Sequence, residues 1–148
     1  MRVLKFSICF IALFIFSASI AMAQPIHYSP PYSSTVSQKD IDLLACVIHG
    51  ESGADYCSNE MRYYVGSVVV NRMNCEAFPD TLEEVVYQEG QYGCVDGKHF
   101  RADERCRAIA QDILVNGCKL PRDVVYQSNA KLGHGVYVKE QNMYFCYI

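Results

Sequence analysis

The 148 residues carry 13 basic and 16 acidic side chains, for a net charge of −3. That length allows one domain, or one domain with a tail, and the charge balance gives no electrostatic reason to expect a nucleic-acid partner. Hydrophobic residues make up 51% of the chain and charged residues 20%, which argues against wholesale disorder, and eight cysteines point away from the reducing cytosol.

The N-terminus agrees with that compartment. Arg2 and Lys5 precede an apolar run from Phe6 to about Ile20, and Ala21-Met22-Ala23 fits a small-x-small cleavage site. Residues 1–23 therefore read as a signal peptide, with Gln24 as the first mature residue. The alternative is an uncleaved anchor, since about 18 residues approach bilayer-spanning length. The cleavage site, and the lack of a positive stop-transfer cluster after it, favour removal. Removal takes away two positive charges and Cys9, which moves the net charge from −3 to −5. Cys46, Cys57, Cys75, Cys94, Cys106, Cys118 and Cys146 remain, enough for three disulfides and one thiol over. Cys46 is the candidate for the odd one, because it falls on the buried stripe of a helix.

Residues 24–38 are rich in Pro, Ser and Tyr, lack apolar periodicity, and read as a linker. Residues 39–148 form the folded domain. Ile41, Leu44, Ala45 and Ile48 recur at helical spacing, with Asp40 and Asp42 at the positive end of the dipole and Gly50 as a stop. Ser58 suits the cap of a second helix, with Met61, Tyr64, Val65, Val68 and Val69 as its stripe. Thr81 and Glu84 form a capping-box pattern ahead of Val85-Val86, in which each would satisfy a backbone donor of a short third helix. Gln88 to His99 reads as a loop. A fourth helix spans about Ala102 to Val115, buries Cys106, Ile109, Ala110, Ile113 and Leu114, and ends at Asn116-Gly117. Three β-type runs follow, at Val124–Tyr126, Val136–Val138 and Tyr144–Tyr147. The expected fold class is α+β, mainly helical, with a small β element and a disulfide staple.

Glu51 is the first candidate for chemistry. A carboxylate at a helix end is held by a rigid element yet reachable, and partial burial beside Val47 and Ile48 raises its pKa towards that of a general acid. Second is the loop Tyr87-Gln88-Glu89-Gly90-Gln91-Tyr92-Gly93. Its tyrosines offer flat faces and its glutamines offer amide donor–acceptor pairs, a combination suited to sugar hydroxyls and N-acetyl groups. His49-Gly50-Glu51 matches half of a zinc-deaminase signature, but the P-C-x-x-C half is missing and H-E-x-x-H does not occur. No metal or cofactor is expected. The cysteines read as structural rather than nucleophilic.

These segments together resemble the spore-cortex-lytic (SleB-type) cell-wall hydrolase family. The matching order is Asp42-Leu43-Leu44-Ala45-Cys46-Val47-Ile48-His49-Gly50-Glu51, then Val65-Gly66-Ser67-Val68-Val69-Val70-Asn71-Arg72, Phe78-Pro79-Asp80-Thr81-Leu82, Val85-Val86-Tyr87-Gln88 and Gly90-Gln91-Tyr92. The resemblance implies a lysozyme-like domain acting on peptidoglycan glycan strands. The signal reading places the protein outside the cytoplasm with no stable membrane insertion after cleavage, and a monomer is expected. The resemblance also implies Glu51 as catalytic acid, with Gln91, Tyr92 and Tyr87 touching substrate. The chain departs from the pattern at Met143, where many members carry histidine, and it has no room for an N-terminal wall-binding module. A lytic transglycosylase can work with Glu51 alone. A muramidase needs a second carboxylate, for which Asp55, Glu89, Asp96 and Asp103 are available without a distinguishing spacing. A glycan-binding protein without activity and a metal-dependent amidase are the other readings.

Overall fold

The computed structural model describes residues 36–95 and 101–148, apart from the side chain of Cys94. The signal-peptide reading of residues 1–23 lies outside the described residues, as does the linker reading up to position 35. Among the described residues no helix is long and apolar enough to cross a membrane.

Four helices come first: α1 (Gln38–Ser52), α2 (Asn59–Met73), α3 (Leu82–Val86) and, after a 3-10 turn at Gly93–Val95, α4 (Glu104–Asn116). Each begins at a side-chain cap. Ser37, Ser58, Thr81 and Asp103 accept from the backbone N–H groups of Asp40, Met61, Glu84 and Cys106 respectively, so local chemistry fixes all four starts. The Thr81 box is one-sided: the Thr81 hydroxyl accepts from Glu84 N and donates to the Glu84 carboxylate, so Glu84 does not return the bond to a backbone donor. The α1 start reaches one residue into the expected linker, because Ser37 is its cap. The α1 end moves further. Gly50 is passed through, and the helix closes at Gly53, whose N–H bonds to the His49 carbonyl at 2.7 Å. A Cβ at Gly53 would lie 2.3 Å from that carbonyl oxygen, so the close approach needs glycine there rather than at position 50.

The centre of the domain is α2, which contacts α1, α3, α4 and the first strand. It is buried on nearly every side, polar Arg62, Ser67, Asn71 and Arg72 included. Gly66 permits that crowding, since a Cβ there would sit 2.5 Å from Ile113 Cδ1 and 2.9 Å from Ile48 Cδ1. The buried polar groups bond to backbone. Asn71 Nδ2 donates to the carbonyls of Pro121 (2.7 Å) and Val124 (3.0 Å), and Ser67 Oγ accepts from Lys119 N–H (2.8 Å). These bonds tie the helical layer to the sheet.

The strands β1 (Val124–Ser128), β2 (Gly135–Glu140) and β3 (Met143–Tyr147) form an antiparallel sheet in the order β1-β3-β2. Gln141, at φ 50°, turns the tight β2–β3 connection. Phe145 of β3 is fully buried and meets Tyr64 of α2 edge-on at 5.2 Å.

The disulfide staple is a correction. No disulfide joins the described cysteines. Cys106 and Cys146 are fully buried, and burial pushes the thiols of Cys106 and Cys118 up to about 12. They pack as small hydrophobes in a core large enough to close without cross-links. Cys46, expected on the buried stripe of α1, is half-buried there.

Candidate active site

Glu51 sits in the last turn of α1 rather than after it. The turn is held from both sides. Ser52 Oγ donates to the Ile48 carbonyl at 2.8 Å, and the following loop is clamped by the buried Arg62 guanidinium, which donates to the carbonyls of Ala54 (2.9 Å) and Cys57. The half-buried Glu51 side chain faces a cleft of about 370 Å³, lined also by Arg72, Gln91, Tyr92, Gln127, Ser128, Asn129 and Met143. Helix, loop and sheet thus each supply a wall.

Burial raises the Glu51 pKa above the ordinary glutamate value by penalising the charged form, while the positive charge of Arg72 acts against that rise. Among the described residues the Glu51 side chain makes no hydrogen bond and no ion pair. Arg72 is committed elsewhere. Its Nε donates to the Val125 carbonyl (2.7 Å), and its Nη1 donates to Gln91 Oε1 (2.8 Å) and the Tyr92 hydroxyl (3.1 Å). Its guanidinium also lies over the rings of Phe78 (5.1 Å) and Tyr92 (5.6 Å). A carboxyl group with a raised pKa and no fixed partner is able to give up and recover a proton.

Gln91 and Tyr92 thus meet Glu51 in one cleft. Tyr92 is 4% exposed and serves as a wall, not as an open stacking face. Tyr87 does not reach this cleft: it is 55% exposed and borders a neighbouring depression with Val86, Gln88, Glu89, Gly90, Tyr92 and Gly93. Met143 lines the cleft, so the departure from the expected histidine falls inside the site. Sequence reasoning assigned no role to Arg72, Gln127, Ser128 and Asn129. A signal for Arg72 was present, since an arginine following a run of buried valines demands partners. For the residues closing β1 there was none.

Of the carboxylates considered as second groups, Asp55 and Asp103 do not line the cleft, Glu89 borders the neighbouring depression, and Asp96 lies outside the described residues. His49, Asp103 and Cys106 bring ligand-type atoms within 4.8 Å of one another. His49 Nδ1 accepts from the Asp103 backbone N–H (3.3 Å), Asp103 caps α4, and the Cys106 thiol keeps its proton, an arrangement that joins α1 to α4.

Several known proteins are similar to this chain in sequence or in fold. A spore cortex-lytic enzyme of Oceanobacillus iheyensis is 31% identical over 96 residues, covering 63% of this chain and 33% of that protein, so the chain spans about a third of its relative's length. The catalytic domain of the germination-specific lytic transglycosylase SleB from Bacillus anthracis superposes with a TM-score of 0.65 at 21% identity, over 78% of this chain and 99% of that one. The catalytic domain of Bacillus cereus SleB gives 0.66 at 19%, over 80% and 97%. These two establish the fold. The sequence pattern of the Cell Wall Hydrolase family matches residues 58–144, from the α2 cap to the start of β3, and begins just beyond Glu51. More than half of the sequence lies within that match, and the chain belongs to the cell wall hydrolase family.

Proposed function

We propose that the protein is a lytic transglycosylase that cuts peptidoglycan between N-acetylmuramic acid and N-acetylglucosamine, with Glu51 as general acid and then general base. Glu51 protonates the glycosidic oxygen, and the bond from C1 breaks through an oxocarbenium-like state. The carboxylate then removes the proton of the muramyl 6-hydroxyl, whose oxygen closes onto C1. The products are a free 4-hydroxyl on one fragment and a 1,6-anhydro end on the other, with no water consumed and Glu51 reprotonated. Such a substrate lies outside the cytoplasm, in line with the N-terminal signal reading.

The supporting observation is that Glu51 is the sole carboxylate lining the cleft among the described residues. Hydrolysis needs a second carboxylate, as nucleophile or as base for water. The test is digestion of purified peptidoglycan followed by mass spectrometry of the muropeptides. Anhydro ends are expected, and reducing ends in their place mean muramidase action. Walls that bind the protein but stay intact mean a glycan-binding protein without activity.

A further inference from the structure

His49 of α1, with Asp103 and Cys106 of α4, brings an imidazole nitrogen, a carboxylate oxygen and a thiol sulfur within 4.8 Å of one another. The helix cap arranges two of them. Asp103 Oδ1 accepts the Cys106 N–H, which leaves Oδ2 facing His49 Nδ1 at 3.6 Å. His49 Nδ1 accepts the Asp103 backbone N–H, so the nitrogen nearest the carboxylate carries a lone pair. Bonds to zinc of about 2.0–2.3 Å at tetrahedral angles set ligand atoms roughly 3.3–3.8 Å apart. The His49–Asp103 pair stands at that spacing, and a small side-chain adjustment brings in the sulfur. A second observation comes from Arg62. Its side chain is 1% exposed, its terminal nitrogens donate to loop carbonyls, and its Nε is a buried donor with no partner. The guanidinium lies beside Cys106 and favours the thiolate by charge and hydrogen bonding, against the burial that keeps the thiol protonated. A thiol sulfur is a weak acceptor, whereas a metal-bound thiolate carries the charge that such a donor seeks.

We propose that His49 Nδ1, Asp103 Oδ2 and Cys106 Sγ bind one zinc ion, with water as the fourth ligand, and that the ion fastens the end of α1 to the start of α4. Thiolate and imidazole select zinc over magnesium or calcium, which take oxygen ligands. On binding, the Cys106 S–H bond breaks, its proton leaves to solvent, and a sulfur–zinc bond forms. Arg62 Nε then donates to the bound sulfur. The His49 and Asp103 side chains are 30% and 42% exposed, which gives the ion its way in. His49 lies two residues before Glu51, so the ion steadies the turn that carries the acid, while none of its ligands lines the cleft. The proposal stands apart from the glycosidase reading.

The experiment uses the mature chain, purified with a chelator and a non-thiol reductant and then dialysed. Zinc sulfate titrated against a chromogenic chelator gives stoichiometry and Kd, and cobalt(II) in place of zinc reports the ligands by its absorption. One ion per chain and a sulfur-to-cobalt charge-transfer band are expected. The melting temperature should rise by roughly 5–10 °C at free zinc about a hundredfold above Kd. Cys106→Ala should abolish the band. Cys106→Ala and His49→Gln should each weaken zinc by more than the ~10–100-fold that changes beyond the ligands themselves cost. Glu51→Gln should bind zinc as the parent does. In metal-free buffer Asp103 acts on the fold only as the cap of α4, and the effect of zinc adds to that. A chain that takes up no zinc overturns the proposal. So does a charge-transfer band that survives Cys106→Ala, which assigns the ion to other thiols, or zinc binding lost in Glu51→Gln, which places the ion in the cleft.

Discussion

Glu51 and Asp103 are carboxylates at the ends of two packed helices, one closing α1 and the other opening α4, where Asp103 meets His49 of α1. Their surroundings drive them in opposite directions. Asp103 accepts the Cys106 N–H at 2.7 Å and lies near His49, and its pKa is lowered, by that backbone bond first. Glu51 has no such donor, and burial raises its pKa. The helix dipole acts the same way, since a negative charge is favoured at an N-terminus and disfavoured at a C-terminus. A carboxylate fixed by donors holds structure together, whereas one stripped of water and left without donors is poised to exchange a proton.

The sharpest break of this contrast is Glu51→Gln. Wall-digesting activity should fall on the order of 10²–10⁴-fold, the usual range for a general acid–base group. The same change should stabilise the fold at neutral pH. With a folded pKa above the unfolded one, Glu51 binds its proton more tightly in the native state, so its contribution to stability declines as pH rises from the ordinary value to the raised one. Melting curves of parent and variant should coincide below that window and separate above it, with the variant higher. A variant that loses activity and also melts lower at neutral pH would place Glu51 among the structural acids.

Arg72 sharpens the comparison because it acts on both stability and acidity. Arg72→Met leaves the Val125 carbonyl without its donor and removes a buried charge from Gln91 and Tyr92, at a cost of about 3 kcal/mol in denaturant unfolding. It also removes the charge that opposes the rise of the Glu51 pKa. Activity that needs protonated Glu51 falls as pH rises through that pKa, so the alkaline limb of the rate profile should move to higher pH. Arg72→Lys keeps the charge without the planar fork and should lose stability with a smaller displacement of that limb.

The helices were legible because capping and periodicity are local. Ser58, Thr81 and Asn116-Gly117 marked ends that the fold keeps, and the five buried residues of α4 are those its stripe picked out. The end of α1 was misread because both Gly50 and Gly53 suit a helix stop, and the His49 carbonyl that selects Gly53 belongs to the three-dimensional turn. Cysteine counting likewise reports composition and not distance, so it suggested cross-links that the packing does not form. Within the site, Glu51, Gln91 and Tyr92 could be picked out from motifs. Gln127 to Asn129 could not, because their place in the cleft depends on β1 docking onto α2 through Asn71 and Arg72, contacts about fifty residues apart in sequence.

The smallest effect is expected at Asp103. Asp103→Ala removes the α4 cap, worth about 1 kcal/mol, and should leave the specific activity of the folded enzyme near that of the parent. Its pH dependence is the mirror of that at Glu51. A folded pKa below the unfolded one contributes stability that is present above the ordinary aspartate value and lost as pH falls through the lower folded value. Parent and Asp103→Ala should therefore differ most at neutral pH and converge in acid. The Glu51→Gln pair also converges in acid, but with the variant above the parent at neutral pH instead of below it. The sign of the gap at neutral pH tells the two acids apart without any assay of activity. Two gaps of the same sign, with the variant below the parent in both, would mean that Glu51 too is held by contacts that favour its charge and that the cleft does not set it apart.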